Sequence, residues 1–336
     1  MNRTLTCILQ FFLALLVTTP IFSQDPVFSQ FYASPLATNP AFTGNTYTPN
    51  ISLNYRNQWS GWPGTAYSTY AAAVGQFIEP LNIGLGAKVS TDSAGDGLFQ
   101  INNLTGFFAY KVNLGNDINI KLGVEAGVWQ TRVDWDNLIF GDQLDILEGN
   151  NGKEPSQEIR PEETSRTVLD VSTGVLIYSP VFYAGFSLKH INTPNDVYFA
   201  ASEEFVTGLP IRYSIHGGAQ IVLREGNKRR LNTFLSPNVL FERQVNLNQI
   251  NVGAYGGIGA VFAGAWFRHT FQNADAAIVL VGFRQKGFKI GYSYDFTVSS
   301  SLTNRLSNGS HEISVGINFD HNKRKVNYND CFQLFR

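Results

Sequence analysis

The sequence predicts an all-β fold: an up-and-down antiparallel β-barrel of the outer-membrane type, with about 14 strands and a short irregular N-terminal segment. Many segments alternate apolar and polar residues one by one, which is the pattern of a strand with one apolar face. Long and short connections alternate between them, as expected of tight periplasmic turns and long external loops. After the N-terminus no apolar run reaches about 18 residues, so α-helical spans are not expected.

The alternation is clearest in segment 117–134. Ile120, Leu122 and Val124 fall on one face, which should meet lipid, whereas Lys121 and Glu125 fall on the face toward the lumen. The predicted strands are 51–58, 65–78, 81–91, 98–114, 117–134, 166–178, 181–191, 211–223, 231–242, 249–261, 263–269, 276–286, 288–296 and 311–320. A secreted β-sandwich is the alternative fold, but its strands are usually shorter and its connections have no reason to alternate.

The composition agrees with an exported barrel and excludes other classes. There are 25 Lys and Arg against 26 Asp and Glu, and only 15% of residues are charged, which argues against nucleic-acid binding and against disorder. Residues 1–23 are predicted to be a secretory signal, with Arg3 before an apolar core and Ser23 before the cleavage point. The mature chain would keep one thiol, Cys331, which has no internal partner for a disulfide.

Residues 24–50 are predicted to be irregular, because Pro26, Pro35, Pro40 and Gly44 oppose both helix and ladder. Two alternatives are open: a plug in the barrel lumen, or a linker under the periplasmic mouth that becomes ordered with a partner. An even number of strands in the barrel, 51–320, would place both termini on the periplasmic side of the outer membrane.

If the segment is a plug, it needs contacts with the lumen wall. The candidate contact residues are Asp25, Asn39, Pro40, Arg56 and Glu125. A charged Arg56 inside the barrel would need a partner, and Asp25 and Glu125 are the expected ones. Asn54, Arg56 and Gln58 could also hydrogen-bond the backbone of the segment, which cannot pair with itself.

The connection 135–165 is the most distinctive loop, because it carries eight acidic residues against Lys153 and Arg160. An acidic surface for a partner, a weak calcium site and a loop simply kept soluble by its charge are all open interpretations. The acids lack the spacing of an EF-hand. The candidate partner-binding residues are Trp135, Asp136, Phe140, Asp142 and Asp145.

No catalytic site, metal site or cofactor is predicted. The five histidines fall on different strands or beyond the last one, without HExxH spacing, and we expect polar lumen or rim positions for them. A hydrolase with a Ser-His pair assembled from separate strands remains a rival, since spacing along the chain cannot exclude it. The tail 321–336 begins with a basic stretch and ends near Cys331 and Phe332. It is either a frayed end or a periplasmic docking peptide.

Several short motifs occur in one order near the start of the chain. They are Gln24-Asp25-Pro26, Phe28-Ser29-Gln30, Asn39-Pro40-Ala41-Phe42 with Gly44, and Asn54-Tyr55-Arg56-Asn57-Gln58-Trp59. With these motifs the sequence resembles the PorP/SprF-type membrane proteins of the type IX secretion system. Phe140-Gly141-Asp142-Gln143 is similar to a further element of that family. The tail matches only in part, since Phe332 stands where the family pattern would have proline.

The resemblance implies a non-enzymatic outer-membrane component of the type IX secretion system. Such a protein would work with outer-membrane lipid, with other components of the system, and with a secreted adhesin that it recognises through the adhesin's C-terminal domain. It would support secretion, surface attachment and the associated gliding motility. The alternative function is an outer-membrane diffusion channel or lipophile transporter, which needs a continuous bore.

Overall fold

The computed structural model describes residues 25–59, 67–145, 149–150, 156–195, 208–226, 232–271, 274–285, 287–298, 309–319 and 331–332. The predicted signal, residues 1–23, and most of the tail 321–336 lie outside these ranges. No helix within them is long and apolar enough to cross a membrane.

The described residues form one closed barrel. Its strands are β1 (Asn50–Gln58), β2 (Tyr67–Ile78), β3 (Ile83–Ala94), β4 (Phe99–Gly115), β5 (Ile118–Val133), β6 (Ser165–Tyr178), β7 (Phe182–Lys189), β8 (Arg212–Ala219 and Ile221–Arg224), β9 (Thr233–Gln244), β10 (Leu247–Ile258), β11 (Val261–His269), β12 (Ala274–Gln285), β13 (Phe288–Thr297) and β14 (Ser310–Asn318). The two pieces of β8 pair with the same neighbour, β9, and are separated only by Gln220. The 15 pieces of the sheet therefore make 14 strands among the described residues.

Closure comes from β1, which pairs with β2 on one side and with β14 on the other. All of these pairings are antiparallel, and Asn50 of β1 lies opposite Asn318 of β14. Because the first and last strands meet, the barrel sheet has no open edge strand among the described residues. The predicted fold class and strand number are confirmed. One turn differs from the prediction. The predicted strands 249–261 and 263–269 place it at Phe262, but it lies between Ile258 and Val261.

The outer face of the barrel is apolar and exposed, as the alternation predicts. Leu122 and Val124 are 54% and 49% exposed, whereas Lys121 and Glu125 on the inner face are 2% and 4% exposed. Toward one end the apolar face gives way to a row of polar side chains on four adjacent strands. This row is Thr91, Asn102, Gln130 and Thr167, each hydrogen-bonded to the next. Such an apolar band with polar borders is typical of a barrel surrounded by lipid.

The two ends of the barrel differ in their connections. At one end, here called the turn end, the connections are 79–82, 116–117, 179–181, 225–232, 259–260 and 286–287. At the other, the loop end, they are 59–66, 95–98, 134–164, 190–211, 245–246, 270–273 and 298–309. The predicted alternation holds in part: three connections at the loop end, 95–98, 245–246 and 270–273, have four residues or fewer.

The lumen is occupied by residues 25–49, here called the luminal segment. It contains one α-helical turn, α1 (Pro35–Thr38), and one 3-10 turn, Pro40–Phe42. Asp25 lies near the loop end, because its partners His190, Arg212 and Gln244 lie where β7, β8 and β9 end or begin there. The chain then runs through the lumen to the turn end, where β1 starts.

The position of Asp25 differs from our expectation that the chain starts at the same mouth as it ends. Phe332 lies at the turn end, against Tyr178 and Tyr183. The described N-terminal and C-terminal residues therefore lie toward opposite ends of the lumen. Strand parity fixes where β1 begins, but it carries no information about a segment that threads through the barrel before β1.

Candidate functional site

The first part of the filled lumen is an ionic cluster around Asp25 at the loop end. The carboxylate of Asp25 lies 2.8 Å from His190 Nε2 and 3.2 Å from Arg212 Nη1. The other ring nitrogen of His190 lies 2.9 Å from Asp170 Oδ1. The Asp25 amide N–H also donates to the side chain of Gln244, at 3.1 Å. The start of the luminal segment is thus tied to β8, to β9 and to the end of β7, and through His190 to β6.

This cluster fixes the charge of its members. Burial raises the pKa of the Asp25 carboxyl, but the charges of His190 and Arg212 outweigh burial and hold that pKa well below its ordinary value. Burial lowers the pKa of His190, but Asp25 and Asp170 outweigh it and raise that pKa to about 9. At neutral pH the imidazolium therefore bridges two carboxylates.

A second ionic cluster holds Ser29 a few residues further on. Glu312 accepts hydrogen bonds from the backbone N–H groups of Ser29 at 2.7 Å and Gln30 at 3.0 Å. Arg56 lies 3.1 Å from Asp295 and 3.2 Å from Glu312. Irregular backbone buried in a lumen needs such partners, and here wall carboxylates provide them.

Arg56 corrects one sequence expectation. We expected Asp25 or Glu125 as its partner, but the structure pairs it with Asp295 of β13 and Glu312 of β14. Glu125 instead pairs with Lys189, at 3.0 Å. The reason is closure: β14 is the direct neighbour of β1, although the two are far apart in sequence.

The middle of the luminal segment packs into an apolar part of the lumen. The ring of Tyr32 lies 5.8 Å from that of Trp266 and 5.2 Å from that of Tyr255. Asn39 donates from Nδ2 to the carbonyls of Val175 at 3.1 Å and Phe186 at 3.2 Å. Its Oδ1 accepts the Ala41 N–H at 2.8 Å and so fixes the following turn.

Glycines in the wall make room for this turn. A Cβ added to Gly123 of β5 would collide with the backbone of Pro40 and Ala41, and one added to Gly174 would collide with the Asn39 side chain. Because only glycine lets the two backbones approach so closely, the wall is shaped to the segment.

At the turn end the segment is held by a cation and by aromatic rings. Lys121 donates from Nζ to the carbonyls of Thr43 and Gly44, both at 2.8 Å. The Phe42 ring lies 5.6 Å from that of Phe332, which in turn lies 5.1 Å from Tyr178 and 5.6 Å from Tyr183. The end of the chain thus packs directly on the luminal segment.

Residues 21–317 match the family model described as type IX secretion system membrane protein PorP/SprF. The chain belongs to this family. It is therefore an outer-membrane component of the type IX secretion system, and its barrel fold agrees with that role.

The comparisons with individual proteins carry less information about function. No curated protein matches the chain. Among solved structures, "KdgM porin" is 7% identical with a TM-score of 0.36, and the match covers 80% of this chain and 99% of that one. A triple mutant of Rhodopseudomonas blastica porin is 7% identical with a TM-score of 0.33, covering 81% and 98%. BamA from Haemophilus ducreyi lacking POTRA domains 1-3 is 7% identical with a TM-score of 0.37, covering 80% and 70%. At such TM-scores these similarities say nothing about function.

The acidic loop of this PorP/SprF chain lies apart from the lumen. The Trp135 and Phe140 rings are 4.8 Å apart, and Asp136 pairs with Arg160 at 2.6 Å. Asp142 accepts the backbone N–H of Gln157 at 2.6 Å, and this hydrogen bond lowers the pKa of its carboxyl. Asp145 belongs to a two-residue strand, Leu144–Asp145, and its side chain lies outside the described residues. The structure thus brings four of the five candidates into one small loop fold.

Several residues that hold the luminal segment are absent from the contact candidates of the sequence analysis. They are Ser29 and Gln30, the carboxylates of Asp295 and Glu312, and the ring of Phe332. Asp295 and Glu312 did carry a signal, since each is an acidic residue on the inward face of its predicted strand. Within the described residues no group of three His, Cys, Asp or Glu side chains is placed to hold a metal ion.

Proposed function

We propose that this chain is a plugged, non-enzymatic scaffold of the type IX secretion system. It supports the secretion or surface attachment of an adhesin by holding the adhesin's C-terminal domain. The observation that carries the proposal is the filled lumen. Residues 25–49 are tied to the wall by the buried ion pairs of Asp25 and the hydrogen bonds of Ser29 and Gln30 at the loop end, and by Lys121 and Phe332 at the turn end.

The filled lumen favours a scaffold over a diffusion channel. A channel needs a continuous bore, and here two buried ionic clusters join the segment to opposite parts of the wall. Removing one partner of a buried ion pair typically costs about 3–5 kcal/mol, and Asp25 pairs with both His190 and Arg212, so thermal motion seldom displaces the start of the segment. A barrel closed in this way suits a protein that presents a surface and does not conduct.

In our proposal the turn end faces the periplasm and the loop end faces the outside. The acidic loop, with Trp135, Asp136, Phe140, Asp142 and Asp145, then lies on the cell surface, where a partner could bind. A protease added to intact cells should cut within 135–165 and spare the turn 179–181. Cleavage that requires opening of the outer membrane would reverse this orientation.

Deletion of residues 25–44 behind an intact signal tests the role of the plug. The shortened barrel should insert in the membrane, conduct ions in planar bilayers and fail to support display of the adhesin. The matched control carries Asp136→Asn and Asp142→Asn, which alter the external loop and should leave the barrel non-conducting. A deletion strain that still displays the adhesin at the wild-type level would reduce the segment to a linker. High conductance of the unaltered barrel would favour a channel.

A further inference from the structure

A cavity remains at the loop end of the lumen, between the start of the luminal segment and the wall formed by β2–β8. Its volume is about 50 Å³, which gives room for a few water molecules or for one small polar group such as a carboxylate. Asp25, Lys88, Asn103, Glu125, Trp129 and Lys189 are among its lining residues.

The charges around the cavity are paired, with one exception. Asp25 pairs with Arg212 and His190, and Glu125 pairs with Lys189. Lys88 has no ion pair or hydrogen bond with any residue in the described ranges. Its contact is with the face of the Phe107 ring, whose centroid lies 5.9 Å from Nζ. The carboxylates of Glu125 and Asp25 are near enough to act on Lys88 electrostatically, but each is already paired with another cation. With His190 protonated, the lining carries four positive charges against three negative ones, which favours an anion.

Four further polar atoms of the lining are buried without a hydrogen-bond partner among the described residues: Asn103 Oδ1, Glu125 Oε2, Trp129 Nε1 and Arg212 Nε. The Nε1–H of Trp129 is buried and has no hydrogen-bond acceptor among the described residues, although the side chain is only 6% exposed. Asn103 Oδ1 is likewise buried without a donor. A buried polar group without a partner is costly, so a cavity lined by several of them is expected to hold a polar occupant.

We infer that this cavity binds a carboxylate, with Lys88 supplying the positive charge and Trp129 the hydrogen-bond donor. The inference rests on the proposed function for the source of the carboxylate, which is an acidic side chain of the exported partner reaching the lumen from the loop end. A free dicarboxylate offers the same chemistry, and the test separates the two sources.

The test uses isothermal titration calorimetry on the full-length mature barrel in detergent. The probes are a blocked triglutamate peptide, glutarate and, as the uncharged control, a blocked triglutamine peptide. The wild type should bind triglutamate and not triglutamine. Tighter binding of triglutamate than of glutarate assigns the site to a peptide, and the reverse order assigns it to a free dicarboxylate. No binding of either anion at millimolar concentration would overturn the inference.

Variants locate the site. Lys88→Met should weaken binding at least tenfold and Trp129→Phe severalfold. Lys111→Met is the matched control, because Lys111 is also an inward lysine but lies at the turn end beside Phe77; it should bind like the wild type. Equal losses in the two lysine variants would contradict the assignment. Folding of the variants is judged by heat-modifiable migration in gels. If Lys88→Met does not fold, Lys88→Arg takes its place and should both fold and bind triglutamate. A folded Lys88→Arg barrel that does not bind triglutamate would contradict the assignment.

The inference and the proposed function can fail separately. A Lys88→Met strain that displays the adhesin normally, while its purified barrel no longer binds triglutamate, would overturn the carboxylate site as a partner contact. It would leave the plugged scaffold intact, since that proposal depends on the deletion of residues 25–44.

Discussion

The luminal segment and the acidic loop are both irregular, yet they are held in opposite ways. In the luminal segment, backbone N–H groups of Ser29 and Gln30 donate to Glu312, a wall residue that is fully buried. In the acidic loop, Asp136 and Arg160 pair with each other while their side chains remain 69% and 55% exposed. The luminal segment is ordered by its contacts with the barrel wall. The acidic loop is ordered by contacts among its own solvent-exposed residues.

The contrast shows where irregular chain can be rigid. Inside the barrel, the buried polar groups of the segment must form their hydrogen bonds with the wall. The positions of the wall partners therefore determine the conformation of the segment. In the loop, water competes for every contact, and each pair adds little. The following predictions use matched substitutions in the two regions, beginning with the largest expected effect.

Replacing the buried arginine should matter far more than replacing the exposed one. Arg56→Met leaves Asp295 with one arginine partner fewer and Glu312 without its ion pair, and should lower the free energy of unfolding by about 3–5 kcal/mol. Arg160→Met breaks only the exposed pair with Asp136 and should cost at most about 1 kcal/mol. Urea unfolding in detergent, followed by tryptophan fluorescence, measures both. Similar costs would mean that the buried network of Arg56, which also donates to the Ser29 hydroxyl, is no stronger than the exposed pair of the loop.

A side chain added to the wall should displace the segment. Gly123→Leu collides with Pro40 and Ala41, and we expect a loss of about 1–3 kcal/mol together with increased conductance. Gly106→Leu is the control: this glycine lies at an outward-facing position of the neighbouring strand β4, where a larger apolar side chain can meet lipid. If Gly123→Leu behaves like Gly106→Leu, the close packing of the segment on β5 is wrong.

The end of the chain offers a chemical probe of the turn end. Burial raises the pKa of the Cys331 thiol to about 12 and so suppresses its reactive thiolate form. Phe332→Ala removes the ring that packs on Phe42, and the thiol should then react with a maleimide at least tenfold faster. Phe140→Ala in the loop should leave this rate unchanged. An unchanged rate in Phe332→Ala would show that the aromatic contact does not hold the tail.

The pH dependence of stability offers a further comparison of the two regions. Asp25 has a lowered pKa, so its contribution is present above its unfolded value of about 4 and is lost as pH falls. His190 has a raised pKa, so its contribution is complete below about 6.5 and is lost as pH rises through about 9.

Wild-type stability should therefore be highest between about pH 4 and 6.5 and decline on both sides. Asp25→Asn should reduce the loss of stability at low pH and also the loss at high pH, because it removes a titrating carboxyl group and a charged partner of His190. Asp142→Asn in the loop should leave the profile as it is. Unfolding midpoints in urea from pH 3 to 10 measure this. If Asp25→Asn loses stability at low pH as the wild type does, carboxyl groups other than Asp25 cause that loss.

The barrel follows from the sequence alone. Strict alternation, as in Ile120 to Glu125, assigns each residue to lipid or lumen, and the spacing of turns sets the number of strands. These are local properties, because side chains of a strand alternate by geometry and one face must be apolar in lipid. The motifs near the start of the chain likewise indicate the family, since they are short runs of neighbouring residues.

The way in which the lumen is filled depends on tertiary contacts. The partners of Arg56 lie on β13 and β14, which meet β1 only because the barrel closes. Asp25 lies at the loop end because the segment threads the lumen before β1 begins, a path that no periodicity records. The glycines that face Pro40 and Asn39 gain their role from a backbone that packs on them from elsewhere in the chain. Alternation tells which side chains face inward, but their partners depend on contacts between residues far apart in sequence, and these exist only in the closed barrel.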